Sequence, residues 1–242
     1  MKTALITGAS HGIGKAIAQK LAKMGCNLAL NCKNSQNDLK NLCDELNARY
    51  GVTAKPFICD VGDYRAVCNM FSRIKESLGD IDLLVNNAGI SRIGLLSELS
   101  IDDWQNLIAT NLSSVFYCSK QAIPAMVHKK SGKILNISSV WGEVGASCEA
   151  AYSATKGGVN ALTKALAKEL APSNIQVNAI ACGCIDTRMN ECFDQKERMQ
   201  LETEIPAGRF AAPKEAAELA WTLLSGHDYL TGQVIRFDGG WI

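Results

Sequence analysis

Tyr152 and Lys156 stand four residues apart in the run Ala-Tyr-Ser-Ala-Thr-Lys, and Ser139 lies thirteen residues upstream at the end of a strand-like segment. Residues at i and i+4 share one face of a helix, so this spacing brings a phenol and an ammonium together. A cation held there favours the phenolate and lowers a pKa that is about 10 in a free tyrosine. The chemistry to expect is general acid–base proton transfer near neutral pH. The same pair on a solvated helix would do nothing, so its meaning depends on what the rest of the chain builds around it.

A second group of residues could hold a phosphate. Thr7-Gly8-Ala9-Ser10-His11-Gly12-Ile13-Gly14 follows an apolar strand and opens a helical period. Glycines let the backbone approach a pyrophosphate, and a helix N-terminus offers amides and partial positive charge. With a strand before and a helix after, the turn reads as a dinucleotide site, although its spacing is Gly-x-x-x-Gly-x-Gly rather than Gly-x-Gly-x-x-Gly. The next strand ends in Asn31-Cys32-Lys33-Asn34, without the acid that ordinarily receives the adenosine ribose in an NAD site. Lys33 could neutralise a 2′-phosphate there, helped by Ser10 or His11, or stand as a solvated loop lysine. NADP(H) is therefore expected over NAD(H). Asp60 and Val61 are placed to meet the adenine. In Asn86-Asn87-Ala88-Gly89, small residues would let the chain pass close to a ribose.

The elements that must position these groups alternate along the chain. Strand-like runs fall at 3–7, 27–32, 54–59, 83–85, 133–138, 176–180 and 234–237; helical periods cover 12–24, 36–50, 64–78, 101–128, 152–170 and 214–224. Strand–helix alternation implies parallel pairing through right-handed crossovers. The predicted fold is α/β, a Rossmann-like doubly wound parallel sheet of seven strands, filling 1–242 as a single domain. Residues 185–205 break the rhythm after the sixth strand. They are expected to form a short helical lid, because ligands of such sheets bind at the carboxyl ends of the strands.

Of the 242 residues, 47% are hydrophobic, enough for a large core, and 25 basic and 24 acidic residues are interspersed to a net charge of +1. That balance gives no electrostatic reason to expect nucleic acid or an anionic membrane as partner. No apolar run is long enough for a bilayer, and no secretion signal precedes the first strand, so a cytoplasmic protein is expected. Its ten cysteines, Cys192 among them, then read as reduced thiols packed as small hydrophobes. Cys182-Gly183-Cys184 has no Cys-x-x-Cys or His partner nearby, and no metal is expected.

Taken in order, the turn at 7–14, Asn86-Asn87-Ala88-Gly89, Asn111 in Thr-Asn-Leu-Ser-Ser-Val, Ser139, Tyr152, Lys156 and the closing Thr231–Gly240 stretch resemble the short-chain dehydrogenase/reductase family. The likeness runs over the whole chain. It is greatest to 3-oxoacyl-acyl-carrier-protein reductases, through 86–92, 110–116 and Ile-Pro-Ala-Gly-Arg-Phe at 205–210. The resemblance implies that Tyr152 protonates a substrate carbonyl as hydride arrives from a nicotinamide. Ser139 would hold the same oxygen, Lys156 would bind the nicotinamide ribose and lower the Tyr152 pKa, and Asn111 would hold a water that relays protons through Lys156. It also implies contacts from Gly183, Ile185 and Thr187 towards the nicotinamide amide.

The chain departs from that pattern in three places. Cys182 stands where the family usually has proline, which could loosen the following turn. Glu149 replaces a common glutamine and is expected to face solvent or the substrate mouth. Ser173 replaces a basic residue, leaving Lys129 and Lys130 either as the remaining positive charge for an acidic carrier protein or as helix C-terminal charges favoured by the macrodipole. The expected activity is thus reduction of a 3-oxoacyl thioester of acyl-carrier protein or coenzyme A. A free secondary alcohol, polyol, sugar or hydroxysteroid is the alternative substrate, and a non-catalytic dinucleotide-binding protein the remote one. The likeness also implies a homotetramer built on the fourth and fifth helices and the C-terminal strand, with Trp241 and Ile242 against a neighbour or their own subunit.

Overall fold

Consecutive residues along each strand face opposite sides of a sheet, and here both sides are apolar. In the computed structural model, which describes residues 1–191 and 193–242, seven strands form one parallel sheet. They are β1 (Thr3–Ile6), β2 (Asn27–Cys32), β3 (Ala54–Ile58), β4 (Leu83–Asn86), β5 (Gly132–Ser139), β6 (Ile175–Cys182) and β7 (Val234–Phe237). Their order is β3-β2-β1-β4-β5-β6-β7. Ala4, Ile6, Leu28, Leu30, Val85 and Leu135 point to one face; Leu5, Ala29, Phe57, Leu84, Ile134 and Val177 point to the other. The first face is covered by α1 (Gly12–Lys23), α2 (Gln36–Tyr50) and α9 (Pro213–Ser225), the second by α3 (Tyr64–Leu78), α5 (Ser114–Lys129) and α7 (Ala150–Leu170). This is the expected doubly wound architecture. Chain direction across the sheet reverses between β1 and β4, and such a switch point opens a crevice at the carboxyl ends of the strands.

The expected single helix over 101–128 is in fact three pieces. It runs as α4 (Ile101–Ile108), a π-helical segment (Ala109–Ser113) and α5. A π turn admits one extra residue into a helix, and the residue it turns inward is Asn111, which is fully buried. Its side chain is drawn to the backbone of Ile90, a contact that helical periodicity cannot reveal. Smaller differences lie at element ends: β5 and β6 are longer than their apolar runs, and α7 begins at Ala150, two residues before Tyr152. A short helix, α6 (Trp141–Val144), was hidden in the loop after β5.

Of the 185–205 stretch, the described residues on either side of 192 form a 3-10 turn at Arg188–Asn190 and α8 (Gln195–Glu204), outside the sheet. An Asp194–Glu197 capping box starts α8, which has no buried residue. Ile185, well before α8, and Ile205, its C-cap, are both buried, and Arg198 lies over the Phe210 ring at 4.6 Å. Cys192 lies outside the described residues. Among those residues the cysteines are free thiols, no helix is long and apolar enough to cross a membrane, and no cluster of metal-ligating side chains occurs.

Candidate functional site

Ser139 is the last residue of β5, so its side chain emerges at the carboxyl edge of the sheet. The Trp141 amide donates to its Oγ at 3.2 Å. Helix α7 passes beside this edge and buries Tyr152, Thr155 and Lys156 on one face. Gly142 permits the approach: a Cβ there would lie 2.6 Å from the Lys156 carbonyl carbon. The Ser139 hydroxyl hydrogen-bonds the Tyr152 phenol. Lys156 Nζ lies 5.6 Å from the centre of the Tyr152 ring and donates to the Ile137 carbonyl at 2.8 Å. Asn111 closes the group. Its Oδ1 accepts from Ile90 N at 2.8 Å, and its Nδ2 donates to Ile90 O at 2.9 Å and to Thr155 Oγ1 at 3.3 Å. A Cβ on Gly89 would lie 3.5 Å from Asn111 Oδ1 and 3.6 Å from Lys156 Nζ, so that glycine sits between the two. Ser139, Tyr152, Lys156 and Asn111 therefore meet at one place. Thr155 and Gly142, which support them, carry no motif of their own.

The electrostatics differ from the expectation drawn from spacing alone. The Tyr152 phenol is pushed up, first by burial, then by the nearby Glu149 carboxylate and Cys182 thiol; the Ser139 hydrogen bond opposes this only in part. Lys156 is pushed down to about 8 by burial. A buried ammonium is disfavoured just as a buried phenolate is, and here Nζ is directed at a backbone carbonyl rather than at the phenol oxygen. In this state the pair favours a neutral phenol, not a phenolate.

The glycine-rich turn lies beside this group. Gly8 has φ +62°, and a Cβ on it would lie 2.8 Å from Ala88 Cα; a Cβ on Gly14 would collide with the Gly8 carbonyl. The turn is tied to the end of β4 by Asn87 Nδ2, which donates to Thr7 O and Gly8 O at 2.9 Å each. Thr7 Oγ1 accepts from the amides of Asn87 and Ala88 at 3.0 Å each. Asn87 thus holds the turn itself. His11, at the N-cap of α1, gives no side-chain cap to the first turn containing Ile13 and Gly14. A cleft of about 800 Å³ runs from Ser10, His11 and Gly12 across to Asp38 and to Thr187 after β6. An uncapped helix N-terminus above glycines pressed against the chain is a cradle that fits a pyrophosphate.

At the ribose end the sequence suggested no acid, but two carboxylates arrive from other elements. Lys33 Nζ pairs with Asp60 Oδ2 at 2.6 Å. Partial burial pushes the Asp60 carboxyl up, yet the Lys33 ammonium and the Gly62 amide together outweigh it and hold it below its ordinary value. His11 lies between Ser10 Oγ, 2.8 Å from Nδ1, and Asp38 Oδ2, 3.0 Å from Nε2. Each basic group expected at a 2′-phosphate already has an acidic neighbour. The side chains of Val61 and Ile185 are buried in the core, so these two residues can offer a ligand only their main chain.

Two further expectations are corrected. Cys182 does not loosen its turn: β6 runs through it, Gly183 N donates to Phe237 O at 3.0 Å, and Ala211 N donates to Cys184 O at 3.0 Å. A Cβ on Gly183 would lie 2.8 Å from Asp238 Cβ, which explains the glycine. Lys129 and Lys130 end α5 immediately before β5 begins, so they lie at the amino edge of the sheet, opposite the mouth. Lys129 is paired there with Asp82 at 3.1 Å and Asp80 at 3.9 Å.

The fold and the cradle define a dinucleotide-binding domain with a buried Ser–Tyr–Lys–Asn group at its switch point. The short chain dehydrogenase family model matches residues 2–198. The oxidoreductase YmfI of Bacillus subtilis (strain 168) is 41% identical over 241 residues, covering 99% of this chain and 98% of its own. The 3-oxoacyl-[acyl-carrier-protein] reductase FabG of Staphylococcus aureus (strain Mu50) is 41% identical over 240 residues, covering 99% and 97%. Among solved structures, the 3-oxoacyl-[acyl-carrier protein] reductase of Brucella melitensis superposes with a TM-score of 0.93 at 33% identity, over 100% of this chain and 91% of that one. The chain belongs to the short-chain dehydrogenase/reductase family of oxidoreductases, which bind a nicotinamide dinucleotide.

Proposed function

We propose that this protein reduces the 3-oxo group of an acyl thioester, carried by acyl-carrier protein or coenzyme A, with NADPH as donor. The observation that carries the reading is the convergence of Ser139, Tyr152 and Lys156 beside the glycine-rich cradle. Similarity to reductases of 3-oxoacyl-acyl-carrier protein supports the choice of substrate. A bound nicotinamide supplies the hydride. Tyr152, kept a neutral phenol by burial, donates its proton to the carbonyl oxygen as charge develops there. Ser139 hydrogen-bonds that oxygen and fixes its distance from the phenol. Lys156, with its pKa near 8, returns a proton to the phenolate. Asn111 is a positioning residue, because both ends of its amide are committed to Ile90 and Thr155. Lys33, His11 and Ser10 would receive the 2′-phosphate by exchanging their bonds to Asp60 and Asp38 for bonds to the ligand, and Gly183, Ile185 and Thr187 would bound the nicotinamide end. Residues 185–205 serve as the lid.

A free small alcohol, polyol or sugar is the second reading. It is favoured by the placement of Lys129, which is turned to acids at the other edge of the sheet, away from the mouth. Initial rates with acetoacetyl thioesters, simple ketones and sugars, each with NADPH and NADH, separate the two. Thioester turnover well above that of simple ketones is expected, with NADPH preferred. Turnover no better than that on simple ketones sinks the thioester reading, and indifference to the 2′-phosphate sinks the assignment of Lys33.

We further propose a homotetramer. Ile101 on α4 and Phe116 on α5, the helices expected at the interface, leave large apolar side chains 72% and 49% exposed. Trp241 instead packs edge-on against Trp141 of its own subunit, ring centres 4.9 Å apart. Light scattering is expected to give four times the chain mass, and a monomer would refute the assembly.

A further inference from the structure

Glu149 occupies the N-cap of α7, where a short polar side chain ordinarily accepts from the first-turn amides, yet it makes no such cap. Its side chain reaches across to the segment after β4, where Oε1 accepts from Ser91 Oγ at 2.6 Å. A second tie runs alongside, Gly94 N to Cys148 O at 2.8 Å. The two bonds join the 90–94 and 148–149 segments into one wall of the mouth. Glu149 also stands three residues before Tyr152, at the entry to the same helix. Its charge reaches the Tyr152 phenol on one side and the Cys184 thiol, beyond β6, on the other.

Nearby cations are committed elsewhere. Arg198, whose charge acts on the Cys184 thiol, is bonded to Asp186 at 2.8 Å and Glu202 at 3.1 Å. Arg92, beside Ser91, faces Asp103 at 3.7 Å. Glu204 adds a second negative charge on the Cys184 side. Beside the Ser91–Glu149 tie the wall presents Ile90 and Ile93, 41% and 53% exposed, with Arg92 between them turned to Asp103. Exposed isoleucines beside a carboxylate suit a neutral acyl group and oppose a second carboxylate.

We propose that Glu149 is a specificity-determining residue that admits neutral 3-oxoacyl derivatives and rejects the corresponding free 3-oxo acids. The inference rests on Tyr152 acting at a substrate carbonyl, as proposed above, but not on the natural substrate being a thioester. A 3-oxo acid and its ester differ here by one negative charge placed two carbons from the reacting carbonyl. Two like charges facing each other in a partly solvated site oppose binding by roughly tenfold.

The test is the ratio of kcat/KM on acetoacetate to kcat/KM on ethyl acetoacetate, in the wild type, Glu149→Gln, Glu149→Asp and Ser91→Ala, at low salt. Gln keeps an oxygen for Ser91 and removes only the charge, so the acid-to-ester ratio should rise roughly tenfold, mainly through KM. Asp should restore the wild-type ratio. Ser91→Ala, which cuts the tie and leaves the charge, should stay near it. Added salt should raise the wild-type ratio and leave that of the Gln variant unmoved. A ratio unchanged in Gln, or changed equally in Gln and Asp, overturns the proposal. If the wild type reduces the ester but no thioester, the thioester reading falls while the role of Glu149 is still decided by the ratio.

Discussion

Replacing Tyr152 with phenylalanine is expected to lower kcat by about 10²- to 10⁴-fold, the usual contribution of a positioned proton donor, while dinucleotide binding is retained. The ring of Tyr152 is buried on α7 and would stay in place as Phe, so the loss is that of one hydroxyl. That hydroxyl's neighbour is the Ser139 side chain, and removing the bond between them costs about 1 kcal/mol of stability. The cradle of Gly8, Gly12 and Gly14 is braced by Thr7 and Asn87 and does not depend on the phenol. Binding followed by quenching of tryptophan fluorescence should therefore be unchanged when turnover is gone. Turnover surviving the substitution would remove Tyr152 from the proton-transfer step and with it the reason for reading Ser139 and Lys156 as its partners.

Much of this site was legible because its residues sit where alternating elements must put them. A serine ending β5 and a Tyr-x-x-x-Lys opening α7 reach the same carboxyl edge by topology alone. Strand positions were readable because both faces of the sheet are buried, so each apolar run marks a strand to within a residue or two. What was not legible depends on contacts distant in sequence. The π turn at Asn111 forms because its amide pairs with Ile90, twenty-one residues away. Asp38 comes from α2, so the end of β2 alone could not reveal it; Asp60, expected to meet the adenine, was named from the sequence, but its pairing with Lys33 was not.

The place of Lys129 follows from topology. A helix that leads into a parallel strand must finish at that strand's amino end, away from the site. The direction of the Tyr152 shift does not follow from spacing. Spacing of i, i+4 fixes which face two side chains share but not which atom an ammonium turns towards. Lys156 turns to the Ile137 carbonyl.

That burial has a consequence for stability. The Lys156 pKa falls from 10.5 to about 8 in the fold. Below pH 8 the ammonium is present in both states but is desolvated only in the folded one, at a cost of about 3 kcal/mol. Between about pH 8 and 10.4 the unfolded chain binds more protons than the folded one, so stability from this group rises with pH and the cost disappears above that window. Lys156→Met removes the cost, keeps most of the buried volume, and leaves the Ile137 carbonyl without its side-chain donor, which takes back about 1–2 kcal/mol. The variant should be about 1–2 kcal/mol more stable than wild type at pH 7. This advantage should fade, or reverse, by pH 10.5, while turnover falls by about two orders of magnitude or more through loss of proton return to Tyr152. Urea unfolding of both proteins at pH 7 and 10.5 checks the sign, and the difference between the two proteins isolates this one group from the other lysines and thiols that titrate in the same range. A Met variant less stable at pH 7, or a difference that does not change with pH, would show that Lys156 is not held against its own charge. Stability gained where activity is lost would instead mark the buried ammonium as a group the fold tolerates for proton transfer and not for its own sake.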